Sequence, residues 1–245
     1  MLIDAVTVCA GYADFLAETL PVNLPHLNRL VVVTTPDDRE TMDVCKYFSV
    51  ECRATNLMTA RGARFAKARG IDYGLAFLAS ANWVLHFDAD IAFPPDMRRA
   101  LLNRPLDPAH LYGADRVYCN SYEDWRAYLA TPRYQHRDHY RVDPPRFTLG
   151  SRVAIDGYDG YLPIGYFQLW HGSTGRRYPT TQQDGAEHTD VLHAIQWGAE
   201  ERHLLPEFFV VHLDSKTSQQ GANWKGRKTP RFGPARLMGQ AGPSY

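Results

Sequence analysis

Short apolar runs alternate with amphipathic stretches through the first 100 residues of the chain. Residues 2–10, 29–35 and 83–87 are dominated by branched and other apolar side chains, which is typical of strands covered on both faces. Between these runs, residues 39–48 and 59–79 place apolar side chains at three- and four-residue steps, which predicts helices. Strands that alternate with helices predict a single α/β domain with a mostly parallel central sheet flanked by helices.

Shorter signals complete this order. Residues 14–20, just before Pro21, predict a short helix, and residues 50–54 predict a short strand. A helix is predicted over the sequence MRRALL, which follows two prolines, and the apolar run Phe208–Val211 predicts a late strand.

Composition supports one soluble globular domain. The chain has 245 residues, of which 44% are hydrophobic and 22% charged, and its formal net charge is zero. No stretch approaches the length of a membrane-spanning helix, and the N-terminus carries an acid where a signal peptide needs basic residues. The four cysteines lack zinc-ligand spacing and are predicted to be free and mostly buried. We therefore expect a cytoplasmic protein with no membrane association.

Two acidic residues directly follow the apolar run WVLHF. Asp88 and Asp90 cannot both be buried unpaired within a strand, so they are expected just beyond its end or bound to a cation. Ligands of open α/β sheets bind at the carboxyl ends of the strands. Carboxylates suit hard cations such as Mn²⁺ or Mg²⁺. Capping of the next helix and surface ion pairs are the alternatives.

The order of these features resembles that of the GT-A glycosyltransferases. A first strand ends in the turn Cys9-Ala10-Gly11-Tyr12, a second ends in Asp37-Asp38, and a basic helix precedes the strand closed by Asp-x-Asp. The resemblance covers residues 1–100 in order and continues less clearly to about 215. It implies a Rossmann-like GT-A domain over residues 1–215. A nucleotide-binding half (1–100) would be followed by an acceptor half (101–215) and a basic C-terminal flap or tail (216–245).

The resemblance implies a glycosyltransferase that moves a sugar from a nucleotide-sugar donor to an acceptor hydroxyl, with Mn²⁺ or Mg²⁺ on the diphosphate. The metal ligands would be Asp90 and the late histidine His212, with Asp88 on the metal or the donor ribose. The remaining donor-binding residues in this part of the chain would be Ala10, Gly11, Tyr12, Asp37 and Arg64. Lys67, on the same predicted helix face as Arg64, is expected to be a solvated surface residue.

The C-terminal sequence GANWKGRKTPRF combines glycines, a tryptophan and basic residues. Such a segment suits a mobile flap that closes over a diphosphate, with Lys225, Arg227 and Lys228 meeting its charge. It also suits a disordered basic tail.

An acidic residue near a helix start is the candidate catalytic base. Asp190 would lie in the first turn of a helix from Thr189, where the helix dipole already favours an acid. This arrangement resembles that of inverting GT-A enzymes. Their adjacent Glu-Asp pair is absent here, because two residues separate Glu187 from Asp190. The resemblance implies Asp190 as the base of an inverting enzyme, with Glu187 as the alternative. In a retaining enzyme, Asp190 would instead orient the acceptor or the sugar. In the preceding aromatic segment, Gln168 and Trp170 are candidate acceptor-binding residues.

Other functions fit parts of the pattern. A sugar-nucleotide nucleotidyltransferase also uses an α/β sheet with acidic metal ligands, although CAGYADF lacks a glycine-rich phosphate loop with a following lysine. A non-catalytic module that binds carbohydrate or nucleic acid is the third alternative. Residues 126–152 interleave six arginines with aromatic residues, so the acceptor could be a nucleic acid with a hydroxylated base.

Overall fold

The computed structural model describes residues 1–143, 145–149, 159–180, 185–213, 227 and 229–234. The strands in these ranges are β1 (Ile3–Val8), β2 (Arg29–Thr34), β3 (Glu51–Ala54), β4 (Trp83–His86), β5 (Ile91–Ala92), β6 (Leu111–Cys119), β7 (Thr148–Leu149), β8 (Gln168–His171) and β9 (Arg202–Leu213). The α-helices are α1 (Ala13–Asn23), α2 (Arg39–Tyr47), α3 (Lys67–Leu75), α4 (Met97–Leu102), α5 (Tyr122–Ala130), α6 (Asp138–Arg141) and α7 (Thr189–Ala194).

The described strands form one sheet in the order β3-β2-β1-β4-β8-β6-β9-β5, with β7 beside β6. Strands β3, β2, β1 and β4 are parallel to one another, and the long pairing of β6 with β9 is also parallel. Strand β8 runs antiparallel between β4 and β6, and β5 runs antiparallel to β9. Parallel pairing involves more residues than antiparallel pairing, so the sheet is mostly parallel, as the sequence predicted.

Side chains that alternate between the two faces of the strands form two separate apolar cores. In β1, Ile3 and Ala5 pack with α1 and α2, whereas Val6 and Val8 pack with α3 and α7 on the opposite face. A third cluster includes Phe15 of α1 together with residues of β6 and α5. The helices therefore cover both faces of the sheet, which confirms the predicted α/β class. All four cysteines are free, and three of them are buried, as predicted.

The predicted long helix over residues 59–79 is wrong. A 3₁₀ turn, Ala60–Gly62, comes first, and α3 begins only at Lys67. Arg61 and Gly62 have φ angles of 60° and 75°, which no right-handed helix accommodates. The predicted basic ridge is therefore not formed, and Lys67 turns toward the sheet.

Helix α1 is longer than predicted, because it continues through Pro21 to Asn23. Pro21 lies in the last turn, so its missing N–H removes a single helical hydrogen bond. Among the described residues, no helix has both the length and the apolar character needed to cross a bilayer.

Candidate active site

A cavity of about 540 Å³ lies at the carboxyl-terminal ends of β1 and β4. This volume is within the usual range for small-molecule sites. Ten of the residues named from the sequence line it, and they come from six separate parts of the chain. They are Ala10, Gly11, Tyr12, Arg64, Asp88, Asp90, Glu187, Asp190, His212 and Arg227.

Asp37 lies outside the cavity lining and is exposed. Its neighbour Asp38 has a structural role instead. The Asp38 carboxylate accepts hydrogen bonds from the backbone N–H of Gly11 at 2.8 Å and of Thr41 at 3.1 Å. Asp38 thus caps α2 and fixes the turn after β1.

Gln168 and Trp170 do not reach the cavity either, so their prediction as direct acceptor-binding residues is wrong. Both side chains are buried beneath it. Gln168 donates hydrogen bonds to the backbone carbonyl oxygens of Pro163 at 2.8 Å and Asp190 at 3.0 Å. Gln168 therefore supports the segments that carry cavity residues. Lys225 and Lys228 lie outside the described residues.

Asp90 and His212 meet although 122 positions separate them. Strand β5 pairs with β9 so that His212 lies opposite Ile91, and the Leu213 N–H donates to the Asp90 carbonyl. This register brings His212 Nε2 to 3.3 Å from Asp90 Oδ2. Burial alone would raise the pKa of Asp90, but the adjacent His212 lowers it below the usual value. Asp90 is therefore a carboxylate at neutral pH.

The Asp90–His212 pair fits a divalent cation. The second carboxylate oxygen, Asp90 Oδ1, is buried and accepts no hydrogen bond from the described residues. Such an orphan buried acceptor is unusual and is explained if a cation binds there. No group of three or more His, Cys, Asp or Glu side chains in the described ranges is arranged to hold a metal ion. A cation at this pair would therefore need further oxygen ligands from a bound substrate or from water.

Asp88 is engaged by Lys67, in contrast to the prediction of a solvated lysine. Lys67 Nζ donates to Asp88 Oδ1, and the lysine side chain is only 15% exposed. Burial lowers the pKa of Lys67, but the carboxylates of Asp88, Asp190 and Asp90 raise it more, so the ammonium stays charged. Lys67 thus balances part of the negative charge at the base of the cavity, and Asp88 is less available to a cation than Asp90.

Asp190 lies at the start of α7, with its carboxylate held by two backbone amides. Oδ2 accepts from the Gly165 N–H at 2.7 Å, and Oδ1 accepts from the Val191 N–H at 3.0 Å. A Cβ at position 165 would lie 3.3 Å from Lys67 Nζ and 3.4 Å from Asp190 Oδ2, so a glycine leaves room for the two charged groups to converge. The carboxylate faces the cavity with lone pairs still available.

Arg227 does not have donors left for a diphosphate, contrary to its predicted role. Its Nη1 donates to Gly11 O at 2.9 Å and Asp14 Oδ1 at 2.7 Å, and its Nη2 donates to Asp14 Oδ2 at 2.6 Å and Pro230 O at 2.8 Å. Nε donates to Thr229 O at 3.0 Å. All five guanidinium N–H groups are therefore occupied. Arg227 anchors the chain to α1, an interaction not predicted from the sequence.

The anchor continues along the described C-terminal residues. The Phe232 N–H donates to Asp14 Oδ2 at 2.6 Å, and the buried Phe232 ring stacks on Phe15 with centroids 4.9 Å apart. Arg227 and Phe232 thus attach the described C-terminal residues to α1.

We expect Arg227→Ala to lower the free energy of unfolding by about 3 kcal/mol or more, because it leaves the buried Asp14 carboxylate without its counter-charge. Arg231→Ala is a matched control, since Arg231 pairs with Glu40 at 3.1 Å in an exposed setting. That substitution should cost at most about 1 kcal/mol. Urea unfolding of both variants measures the difference, and equal losses would contradict the anchoring role.

The arginine-rich segment 126–152 offers little for stacking on bases. Of its aromatic side chains, Tyr128 and Phe147 are buried in the third core, whereas Tyr134 is 82% exposed. Two of its aromatic rings are thus used in the core of the domain, and the described part of this segment gives no support to a nucleic-acid acceptor.

The comparisons with known proteins bear on the fold. No protein-family model and no curated protein sequence matches this chain. Glucosyl-3-phosphoglycerate synthase from Mycobacterium tuberculosis, solved in complex with uridine diphosphate, is similar in structure. It has a TM-score of 0.53 and 11% identity, over 91% of this chain and 74% of that one. The chain has the GT-A type of fold.

Two further solved structures give the range of this similarity. The same M. tuberculosis synthase with Mn²⁺ and uridine-diphosphate-glucose matches with a TM-score of 0.52 and 10% identity, over 87% of this chain and 70% of that one. Mannosyl-3-phosphoglycerate synthase from Rubrobacter xylanophilus is 23% identical, but it matches over 51% of this chain and 42% of its own length, with a TM-score of 0.37. This chain therefore spans less than half of that synthase.

Proposed function

We propose that this protein is a glycosyltransferase that takes a sugar from a nucleotide-sugar donor and transfers it to an acceptor hydroxyl. The observation that supports this most is the Asp90–His212 pair with an orphan carboxylate oxygen, in the same cavity as Asp190. The cavity lies where open α/β sheets bind nucleotides. Residues 1–100 would bind the donor, and residues 101–215 would position the acceptor.

In this proposal Asp90 and His212 hold a divalent cation, for which Mn²⁺ or Mg²⁺ is suited. When bound, the cation stabilises negative charge on the diphosphate leaving group. Tyr12 and the turn fixed by Asp38 would contact the nucleotide, and Asp88 would contact the donor. Arg64, exposed at the rim of the cavity, is available to the phosphates.

Asp190 would accept the proton of the acceptor hydroxyl as its oxygen attacks the anomeric carbon. The two backbone amides orient the carboxylate, and the Lys67 ammonium stabilises charge beside it. Glu187 also lines the cavity and is the alternative base.

The M. tuberculosis synthase, a neighbour of the same fold, supports the donor class and the cation, since it was solved with uridine diphosphate and with Mn²⁺ plus uridine-diphosphate-glucose.

A thermal-shift screen of sugar nucleotides and free nucleotides, each with and without Mn²⁺, tests the proposal directly. We expect at least one nucleotide to raise the melting temperature, and to do so more when Mn²⁺ is present. Nucleotides that give no shift under any condition would contradict the proposal. A shift without any donor hydrolysis or transfer would favour a non-catalytic binding module, and pyrophosphate-releasing activity would favour a nucleotidyltransferase.

A further inference from the structure

Arg116 is a cation in the cavity wall to which the proposed reaction assigns no role. It lies on β6, two residues before Tyr118, and both side chains line the cavity. Residues two apart on a strand share a face, so the register of β6 directs both toward the site. The contacts of the Arg116 guanidinium indicate which kind of ligand it can bind.

The Arg116 guanidinium is fixed by aromatic rings. Its Cζ lies over the ring of Tyr166 at 4.5 Å and over the ring of Tyr118 at 4.8 Å from the centroids. The Tyr166 hydroxyl donates to Ala114 O at 2.7 Å, which holds that ring in place. Cation–π contacts of this kind position an arginine but occupy none of its N–H donors.

Most of those donors have no partner among the described residues. Within these residues, Arg116 Nε is buried without a hydrogen-bond partner, and the side-chain acceptor near Nη1 is His212 Nδ1 at 3.4 Å, which is long for a hydrogen bond. In the described chain, no carboxylate forms an ion pair with Arg116. An uncompensated guanidinium with free N–H groups in a cavity is suited to an anionic ligand.

The other described cations deep in the cavity are already neutralised. Lys67 is paired with Asp88, and Arg227 is saturated by Asp14 and by backbone carbonyls. Arg116 therefore differs from them in having no counter-charge of its own.

The position of Arg116 favours the acceptor over the donor. On one side it touches His212, a proposed cation ligand, and on the other it touches Tyr166, whose neighbour Gly165 binds the Asp190 carboxylate. Arg116 thus contacts one proposed cation ligand directly and is linked to the proposed base through Tyr166 and Gly165. A group bound to Arg116 would belong to a molecule that also reaches Asp190.

We propose that Arg116 binds an anionic group, a carboxylate or a phosphate, on the acceptor whose hydroxyl meets Asp190. This assignment rests on the proposed glycosyltransferase function. It names the chemical class of the acceptor: a small hydroxylated anion, which the N–H groups of Arg116 hold while a hydroxyl lies at the Asp190 carboxylate.

The test measures binding, so it does not require the natural acceptor. With uridine diphosphate and Mn²⁺ present in excess, glucose, gluconate and glucose 6-phosphate are titrated into the wild type by calorimetry. These probes are neutral, carboxylate and phosphate versions of a similar polyol. We expect one or both anions to bind and glucose to bind at least tenfold more weakly, since hydrogen bonds to charged groups contribute about 1.5–3 kcal/mol each.

Arg116→Gln keeps a polar side chain and removes the charge, and it should weaken anion binding about tenfold or more with little change in affinity for uridine diphosphate. Arg116→Lys keeps the positive charge and should retain part of the anion affinity. It provides a second test if the glutamine variant does not fold. Arg99→Ala is the matched control, because Arg99 is a surface residue paired with Asp96, far from the cavity lining.

Each outcome is decisive. Glucose binding as tightly as the anions, or no probe binding at all, would overturn the proposal, and so would anion binding that survives in Arg116→Gln. A loss confined to uridine diphosphate affinity would assign Arg116 to the donor and also overturn it. If uridine diphosphate does not bind, the titrations are made with the nucleotide that the thermal-shift screen identifies; if no nucleotide binds, the proposed function fails separately, and the anion titrations are then made on the free protein.

Discussion

Replacement of Asp190 by asparagine is expected to lower sugar transfer by a factor of about 10²–10⁴. The substitution removes the group that accepts the hydroxyl proton, but it leaves the Asp90–His212 pair intact. Donor affinity should therefore change little. Turnover with saturating donor, together with calorimetric binding of the nucleotide, separates the two effects.

Gly165 N–H and Val191 N–H donate to different oxygens of the Asp190 carboxylate, and in asparagine one of these oxygens is replaced by an NH₂ donor, so one of the two hydrogen bonds is lost. The loss should cost about 1 kcal/mol of stability, and turnover must be compared well below the melting temperature. Glu187→Gln is the matched variant, because Glu187 is the other acid in this part of the cavity. Full transfer activity in Asp190→Asn with a loss in Glu187→Gln would reassign the base to Glu187.

Asp90→Asn is expected to weaken cation-dependent nucleotide binding by about 100-fold or more. Changes to groups that merely support a metal ligand cost 10–100-fold in affinity, and the loss of a ligand should cost at least as much. Transfer should fall with binding, in contrast to the Asp190 variant. Calorimetric titration of uridine diphosphate with and without Mn²⁺ measures the effect.

Asp72→Asn is a suitable control for Asp90→Asn, because Asp72 pairs with Arg177 on the surface at 2.7 Å. It should leave nucleotide binding unchanged. Wild-type affinity that is the same with and without Mn²⁺ would remove the cation from the proposal. Since the proposal gives the cation only two protein ligands, Asp90 and His212, we also expect Mn²⁺ alone to bind weakly and to bind well only together with the diphosphate.

Local patterns were sufficient for the parallel half of the fold. Strands β1, β2 and β4 were predicted because their apolar runs are buried on both faces, and such runs need no partner to be recognised. The loop before α3 was missed because its residues continue a helical spacing, whereas the backbone at Arg61 and Gly62 adopts positive φ angles. Antiparallel β8 could not be placed, since its pairing depends on β4 and β6, which are distant in sequence.

The same distinction holds for the cavity. Asp88 and Asp90 were identified because acids at the end of an apolar strand are conspicuous within a short window. Lys67 and Arg116 were missed, because a lysine in a helix and an arginine in a strand are ordinary unless their neighbours are known. Lys67 is distinguished by its ion pair with Asp88, and Arg116 by the two aromatic rings that it contacts. These contacts are visible only in the tertiary structure.

By itself, the sequence determined the α/β class, the acidic strand end and the acid at the start of α7, because each depends on residues adjacent along the chain. The tertiary structure decided which side chains meet. It brought His212 to Asp90 through the β5–β9 register and buried Gln168 beneath Asp190. It also used two donors of Arg227 at Asp14 and the other three at backbone carbonyl oxygens. Burial and pairing depend on neighbours in space. Arg227, which the sequence assigned to a diphosphate, therefore anchors the chain to α1 instead, and Arg116 has no counter-charge in the described chain.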